Sequence, residues 1–421
     1  MSDLFAELTW RGFVHHATQE IGAHLAAAPR TVYCGFDPTA PSLQLGNLMP
    51  IMLLRHFQLA GHKPIVLMGG GTGLIGDPSG KRSERPLLSK EQIREHLQRQ
   101  RDQMARLLDF DGPAQALVLN NADWLVKQSL VDFLRDVGKH FSVNIMLQKE
   151  SVKARLDTGI SYTEFSYMLL QAYDFLHLFR ERQCTIQVGG SDQWGNITAG
   201  IDLIRRVEGG EAHGLVAPLV TMASGAKFGK TEAGAIYLDP ALTSPYKFYQ
   251  FWYNVDDRDV ASYLKLFTLL PREEIEEWMK RHKKDPSCRE AQGQLAAEVT
   301  TMVHGKEATY NATGVSAILF SDFDPRNVKA SVFDEMAKEI PTASVSANNL
   351  GLVDALVQAG LVKSKSEGRR QIEQGGVYVN QQRVKDVDRK IDPSDWLAGR
   401  NLLLRKGKKD YALVRVETGR R

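Results

Sequence analysis

The sequence predicts an α/β protein built as a doubly wound parallel sheet over residues 1–220, a helical unit over 221–320, a linker at 321–350 and a small basic α+β unit over 351–421. Two patterns and one count predict it. Buried-strand runs alternate with amphipathic helical stretches through the first half, the signature of a parallel sheet covered by helices. From about Ser244 to His304 the pattern is almost wholly helical. From Gly351 onward there are 16 Lys and Arg against 9 Asp and Glu, net +7, which leaves 37 against 41, net −4, for the rest of the chain.

TVYCGFD (31–37) alternates apolar and polar positions and reads as a strand. The periodic run from about 46 to 61 reads as a helix ending in glycine, and KPIVLMGG (63–70) as a buried strand. ALVLNN (116–121) and CTIQVGG (184–190) are further strands, separated by charged helical stretches such as KEQIREHLQRQRDQMARLL. In this architecture a ligand is expected outside the carboxyl ends of the strands. SDFDPRNVKASVFDEMAKEIPTASVSANN (321–349) is polar, weakly periodic and punctuated by Pro325 and Pro341, hence the linker.

Composition excludes several classes. With 43% hydrophobic and 24% charged residues the chain is of the ordinary globular type. No apolar stretch reaches the roughly 18 residues of a membrane span, and the first residues carry no signal pattern, so a cytoplasmic protein is expected. Cys34, Cys184 and Cys288 form no CxxC pair, which argues against a zinc ribbon or a disulfide framework and fits a reducing compartment.

Gly71–Gly76 reads GTGLIG and matches GxGxxG, but Asp77 and Pro78 follow at once where a dinucleotide site needs a helix to begin. A glycine-rich turn beside a ligand, with no bound organic cofactor, is the better reading. Lys81, Arg82 and Arg85 follow in one loop, able to hold phosphates or merely solvated. GAKFGKT places Lys227, Lys230 and Thr231 in a second cationic loop, suited to closing on a triphosphate or simply exposed. On the helical stretch 162–179, Tyr167, Gln171 and Asp174 stand at i, i+4 and i+7, three polar groups on one face that must meet a ligand, a polar neighbour or water. Asp192, Gln193 and Trp194 follow a strand end, either at a ligand or in an ordinary turn. In the tail, Lys363, Lys365, Arg369 and Arg370 cluster near a short helix, as a patch for nucleic-acid phosphates would, or as a solvated face.

YCGFDPTAPSL, GLIGDPSGKRSER, TEFSYMLLQAYDF, GGSDQWGNI and KFGKT, in that order, resemble the bacterial-type tyrosyl-tRNA synthetases of class I, and the likeness runs over nearly the whole chain. It implies a Rossmann-like catalytic domain, a helical anticodon-side domain and a tail similar to a ribosomal-protein RNA-binding fold. It further implies that Tyr33 and Asp174 bind the phenol hydroxyl of L-tyrosine, that Asp77, Tyr167 and Gln171 bind its ammonium, and that Gln193 meets the carboxylate side. Asp37, Gly46, Asn47, Asp192 and Lys230 would bind ATP, with Asn47 and Asp192 toward its ribose. Thr39, Gln44, Lys81, Arg85, Lys227, Lys230 and Thr231 would act on the phosphates, with Mg²⁺ carried on ATP and no metal held by the protein itself. The partners implied are tRNA(Tyr) and a second copy of the chain in a homodimer, with no membrane.

One position departs from the family. The first class I signature usually begins with His, whereas here it reads Gln44, Leu45, Gly46, Asn47. Gln44 keeps an amide donor but cannot carry charge. It is the one feature in favour of a rival reading, a synthetase-derived RNA-binding protein with impaired tyrosine activation. Tryptophan specificity is a second rival, disfavoured by a phenol and carboxylate pair suited to a hydroxyl.

Overall fold

The computed structural model describes residues 3–79, 88–156, 159–231, 234–346 and 350–416. The chain forms two compact units, one of residues 1–243 with 255–295, the other of residues 244–254 with 296–421.

The first unit is built on a six-stranded sheet. Its strands are β1 (His16–Ala17), β2 (Thr31–Phe36), β3 (Lys63–Met68), β4 (Leu117–Asn120), β5 (Cys184–Gly190) and β6 (His213–Ala217), in the spatial order β1-β6-β5-β2-β3-β4. All neighbours are parallel except the short β1, which runs antiparallel to β6. Tyr33, Ile65 and Leu67 pack with Met168, Ala172, Phe175 and Leu176 of the helix Tyr162–Arg182. The alternate strand positions Val32, Val66 and Met68 are buried as well, so both faces of the sheet are covered and its strands read as continuous apolar runs. The chain winds outward through β2, β3 and β4, then returns to place β5 on the other side of β2. That reversal opens a crevice at the carboxyl ends of β2 and β5, where this topology holds ligands.

A two-stranded ribbon, β7 (Lys230–Thr231) and β8 (Gly234–Ala235), follows within this unit. The helices Val260–Phe267 and Arg272–Lys284 also belong to it. The helical region expected as one domain at 221–320 is therefore divided, because Val260, Leu264 and Phe267 bury their apolar stripe inside the first unit.

In the second unit the helix Pro245–Tyr253 packs on the helix Lys306–Phe320. A five-stranded sheet carries the tail: β9 (Thr342–Val345), β10 (Val377–Val379), β11 (Gln382–Val384), β12 (Asn401–Lys406) and β13 (Asp410–Val416), ordered β11-β10-β12-β13-β9. Leu352, Leu356, Ile372, Val377, Leu402, Leu404 and Val414 form its core with two short helices, Leu352–Gln358 and Lys365–Glu373. The segment expected as a linker at 321–350 is more ordered than that. It holds the helix Ala330–Met336, whose Val332, Phe333 and Met336 are fully buried, and β9, which pairs in parallel with β13. Its apolar residues are too few and too scattered to show periodicity, and they are recruited by a strand some 70 residues further on. Among the described residues no helix is long and apolar enough to cross a membrane.

Candidate active site

A cavity of about 300 Å³ occupies the crevice at the carboxyl ends of β2, β3 and β5. Strand ends supply its floor through Tyr33, Asp37, Gly69, Gln187 and Gly190, and the Tyr162–Arg182 helix supplies Tyr167, Gln171 and Asp174 as one wall. The three-residue spacing on that helix thus does bring three polar groups to one place. Asp77, Asp192 and Gln193 close it from the loops.

At one end, Tyr33 is 1% exposed and its hydroxyl has no hydrogen-bond partner among the described residues. Asp174 lines the same end, its Oδ2 accepting from Asn121 Nδ2 at 2.9 Å and its Oδ1 from Trp124 Nε1 at 2.8 Å. Burial pushes the Asp174 carboxyl up to about 7, against the opposing pull of those two donors. Burial, then the nearby Asp174 charge, drives the Tyr33 phenol well above its ordinary value, so it stays a neutral donor. Its ring meets Phe175 edge to face at 5.2 Å.

Around the middle, hydrogen bonds run from residue to residue. The Tyr167 hydroxyl donates to Asp37 Oδ2 at 2.9 Å, and Thr72 Oγ1 donates to the other oxygen of Asp37 at 2.8 Å. Gln193 donates to Asp77 Oδ2 at 2.7 Å and accepts from Gln171 at 3.2 Å, while Asn196 donates to Gln171 Oε1 at 3.0 Å. Gly69 has to be glycine, since a Cβ there would lie 2.0 Å from Asp37 Oδ1. Asp37, Asp77, Asp174 and Asp192 all line the cavity, and no Lys, Arg or His does among the described residues. The cavity therefore suits a ligand bearing a cation and hydroxyl groups.

At the other end lie Thr39, Ser42, Gln44, Asn47 and Pro50. Gln44 precedes the helix Leu45–Leu59, and its backbone N–H donates to Asn47 Oδ1 at 2.8 Å. Gly46 is not among the lining residues, but it sits beside the GAKFGKT loop, where a Cβ on Gly229 would come 3.7 Å from the Gly46 nitrogen and 3.0 Å from Leu45 Cβ. Phe228 anchors that loop by stacking on Phe267 at 5.1 Å. Lys227 and Lys230 are exposed and outside the cavity lining, and Lys230 with Thr231 forms the first strand of the ribbon. Lys81, Arg82 and Arg85 lie outside the described residues.

Sequence reading missed Thr72, Gln100, Asn121, Trp124 and Gln187. Asn121 and Trp124 could have been sought in NNADW, a polar string directly after a strand end; Gln187 was visible as a lone polar residue inside CTIQVGG. In the tail, Lys363, Arg369 and Arg370 are exposed, and Lys365 is paired with Asp354 at 2.7 Å. A second basic group, Arg405, Lys406, Lys408 and Lys409, lines a cleft with Phe320 and Tyr411 and was legible as the run RKGKKD.

Residues 26–321 match the family described as tRNA synthetases class I (W and Y), and residues 333–414 match the tyrosine–tRNA ligase SYY-like C-terminal domain. The tyrosine–tRNA ligase of Roseiflexus castenholzii is 51% identical over 424 residues, covering 99% of this chain and 100% of that one. That of Geobacillus stearothermophilus is 51% identical over 417 residues, covering 98% and 99%. Among solved structures, a C-terminally truncated mitochondrial tyrosyl-tRNA synthetase of Aspergillus nidulans superposes with a TM-score of 0.70 at 30% identity, covering 76% of this chain and 95% of that chain. With the Rossmann-like sheet, the switch-point cavity and both family matches in register, the chain belongs to the tyrosine–tRNA ligases of the class I tRNA synthetase family.

Proposed function

We infer that the chain activates L-tyrosine with ATP and transfers it to tRNA(Tyr), releasing pyrophosphate and AMP. The observation that carries the tyrosine reading is the closed end of the cavity, where a buried phenol with an unpartnered hydroxyl adjoins a buried carboxylate. A substrate hydroxyl there would donate to Asp174 and accept from Tyr33. Phenylalanine would leave both groups dry and unpaired; discrimination of this kind in tyrosine-specific synthetases is itself the standard illustration of the effect, and its size belongs to the family.

The substrate ammonium would be held by Asp77, Tyr167 and Gln171, with Gln193 toward the carboxylate, in keeping with the anionic lining. Asp37, Gly46, Asn47 and Asp192 would bind ATP, Asn47 and Asp192 on its ribose side. The tyrosine carboxylate attacks the α-phosphate of ATP and pyrophosphate leaves, with no covalent enzyme intermediate. Catalysis is then positioning plus stabilisation of developing charge by Thr39, Gln44, Lys81, Arg85, Lys227, Lys230 and Thr231. Mg²⁺ arrives with ATP as part of the substrate. Gln44 lines the cavity where the family usually has His, and the tyrosine-side set is complete around it, so the reading as a binding protein without activity is not favoured.

For the tail, Lys363, Lys365, Arg369 and Arg370 would contact tRNA phosphates, which calls for weakening by salt. A homodimer accords with the exposed apolar side chains of Val126, Leu130 and Val131, 67%, 72% and 71% accessible on one short segment. We place the reaction in the cytoplasm, with its tRNA.

The test is ATP–pyrophosphate exchange with tyrosine, phenylalanine or tryptophan, beside Lys230→Ala and Gln44→His. Exchange with tyrosine alone, depressed by Lys230→Ala, is expected. A silent wild type revived by Gln44→His would overturn the reading in favour of a scaffold kept for binding RNA.

A further inference from the structure

The segment Pro38–Leu43 links β2 to the helix Leu45–Leu59 and carries Thr39, yet it has no regular secondary structure of its own. What holds it comes from another element. The helix Lys90–Met104 is overwhelmingly polar, and only Ile93, Gln100 and Met104 are buried on it. A glutamine 3% exposed on such a helix is costly unless it is bonded. Gln100 Nε2 donates to the Ala40 carbonyl at 2.8 Å. Because a carbonyl can only accept, the amide has one orientation, and it leaves Gln100 Oε1 buried at the cavity wall with no partner among the described residues.

The neighbours on the same helix face do the same to adjoining points. His96 Nδ1 lies 3.0 Å from the Pro38 carbonyl. Gln103 Oε1 accepts from the Leu43 N–H at 2.9 Å, and Gln103 Nε2 donates to Ser42 Oγ at 3.0 Å. Positions 96, 100 and 103 are i, i+4 and i+7, so one stripe of the helix grips the segment at its start, middle and end.

We propose that Gln100 is a positioning residue for the nucleotide half of the site, acting through the Ala40 carbonyl to fix Thr39 against the phosphates of ATP, with His96 and Gln103 clamping the two ends of the same segment. The proposal rests on the reading of Thr39 as a phosphate contact. Gln100 bonds to the Ala40 carbonyl, whereas Asp174 at the phenol end is held by Asn121 and Trp124, so the loss of Gln100 is expected to act on one half-site and spare the other. A displacement of about 1 Å in a group that acts on the transition state is enough to cost rate without costing tyrosine.

The experiment uses the full-length protein in four forms: wild type, Gln100→Leu, Thr39→Ala and the double variant. Each is assayed by tyrosine-dependent ATP–pyrophosphate exchange and by equilibrium binding of tyrosine alone. Gln100→Leu is expected to lower the exchange kcat about tenfold while leaving tyrosine affinity within about twofold. The double variant is expected to be no slower than Thr39→Ala by more than about twofold, since the two act as one unit. Additive losses in the double variant, or tyrosine binding weakened as much as exchange, would overturn the role of Gln100 while leaving that of Thr39 intact. Full exchange in Thr39→Ala would overturn the phosphate reading of Thr39 and the proposal with it. Should Gln100→Leu fail to fold, Gln103→Leu, which loosens the same segment from outside the cavity, is expected to give the same split; a variant equal to wild type in exchange would sink the proposal.

Discussion

Trp124 Nε1 donates to Asp174 Oδ1 at 2.8 Å, on the opposite side of a carboxylate whose Oδ2 already accepts from Asn121 at 2.9 Å. The two donors lock the plane of the carboxylate and favour its charged form, while burial favours the neutral one, and the balance lies at about 7. With one donor already on each oxygen, the charged form accepts from a phenol much more strongly than the neutral one. Tyrosine affinity is therefore expected to fall as pH drops through about 7, approaching tenfold per unit below it. Titration of tyrosine binding between about pH 8 and pH 6 reads this. A flat profile in wild type would show that Asp174 is not the acceptor.

The sign for stability is opposite. With its folded value raised above that of an unfolded aspartate, near 4, Asp174 keeps its proton in the folded protein where the unfolded chain releases it. Its contribution to the stability of the free protein thus declines as pH rises from about 4 to about 7.

Asn121 connects three parts of the site: it donates to Asp174 and to Thr72 Oγ1, and accepts from the Gly71 N–H at 2.7 Å. Asn121→Ala leaves buried groups unpaired and is expected to cost about 2–3 kcal/mol of stability together with a weaker tyrosine complex. Chemical denaturation and tyrosine binding test both; a variant unaltered in affinity would remove Asn121 from the specificity apparatus.

Gly69→Ala brings a methyl within 2.0 Å of Asp37 Oδ1 and 2.6 Å of Thr72 Oγ1. Aspartate ends are usually free to swing aside, but this one is held by Tyr167 and Thr72. The substitution is expected to cost about 1–3 kcal/mol of stability, with exchange activity lost by a larger factor than stability alone accounts for. Comparison of exchange rates with melting temperature decides it.

His56 is buried on the helix Leu45–Leu59, edge to face with Phe13 at 5.4 Å, and burial followed by the charges of Arg11 and Arg55 lowers its imidazole to about 3. The unfolded chain takes up a proton near pH 6.5 that the folded protein refuses, so this contribution is whole above about 6.5 and is lost as pH falls toward 3. His56→Phe is expected to flatten the decline of urea midpoints between about pH 7 and pH 4. An unchanged slope would place the acid sensitivity elsewhere.

Four of the sheet's six strands were legible because they are short runs rich in strand formers bounded by glycine and polar turns, and each lies within the run that predicted it: 31–36, 63–68, 117–120 and 184–190; β6 and the two-residue β1 were not read. The polar face of Tyr167, Gln171 and Asp174 was legible for a related reason, since helical periodicity carries facing information within one element. The segment 321–350 misled because β9 gains its meaning only from β13, and no local pattern records a partner strand so far along the chain.

By itself, then, the sequence determined four strands of the sheet with helices between them, the crevice end of the sheet and the helix face turned toward it, all properties of residues a few positions apart. Tertiary structure alone decided which groups satisfy one another: that Asn121 and Trp124 grip Asp174, that Tyr167 and Thr72 hold Asp37, and that the helix Lys90–Met104 holds the Pro38–Leu43 segment. Those pairings span roughly 35 to 130 positions. They are set by how elements pack and by the cost of leaving a buried polar group unpaired, a quantity no stretch of sequence holds on its own.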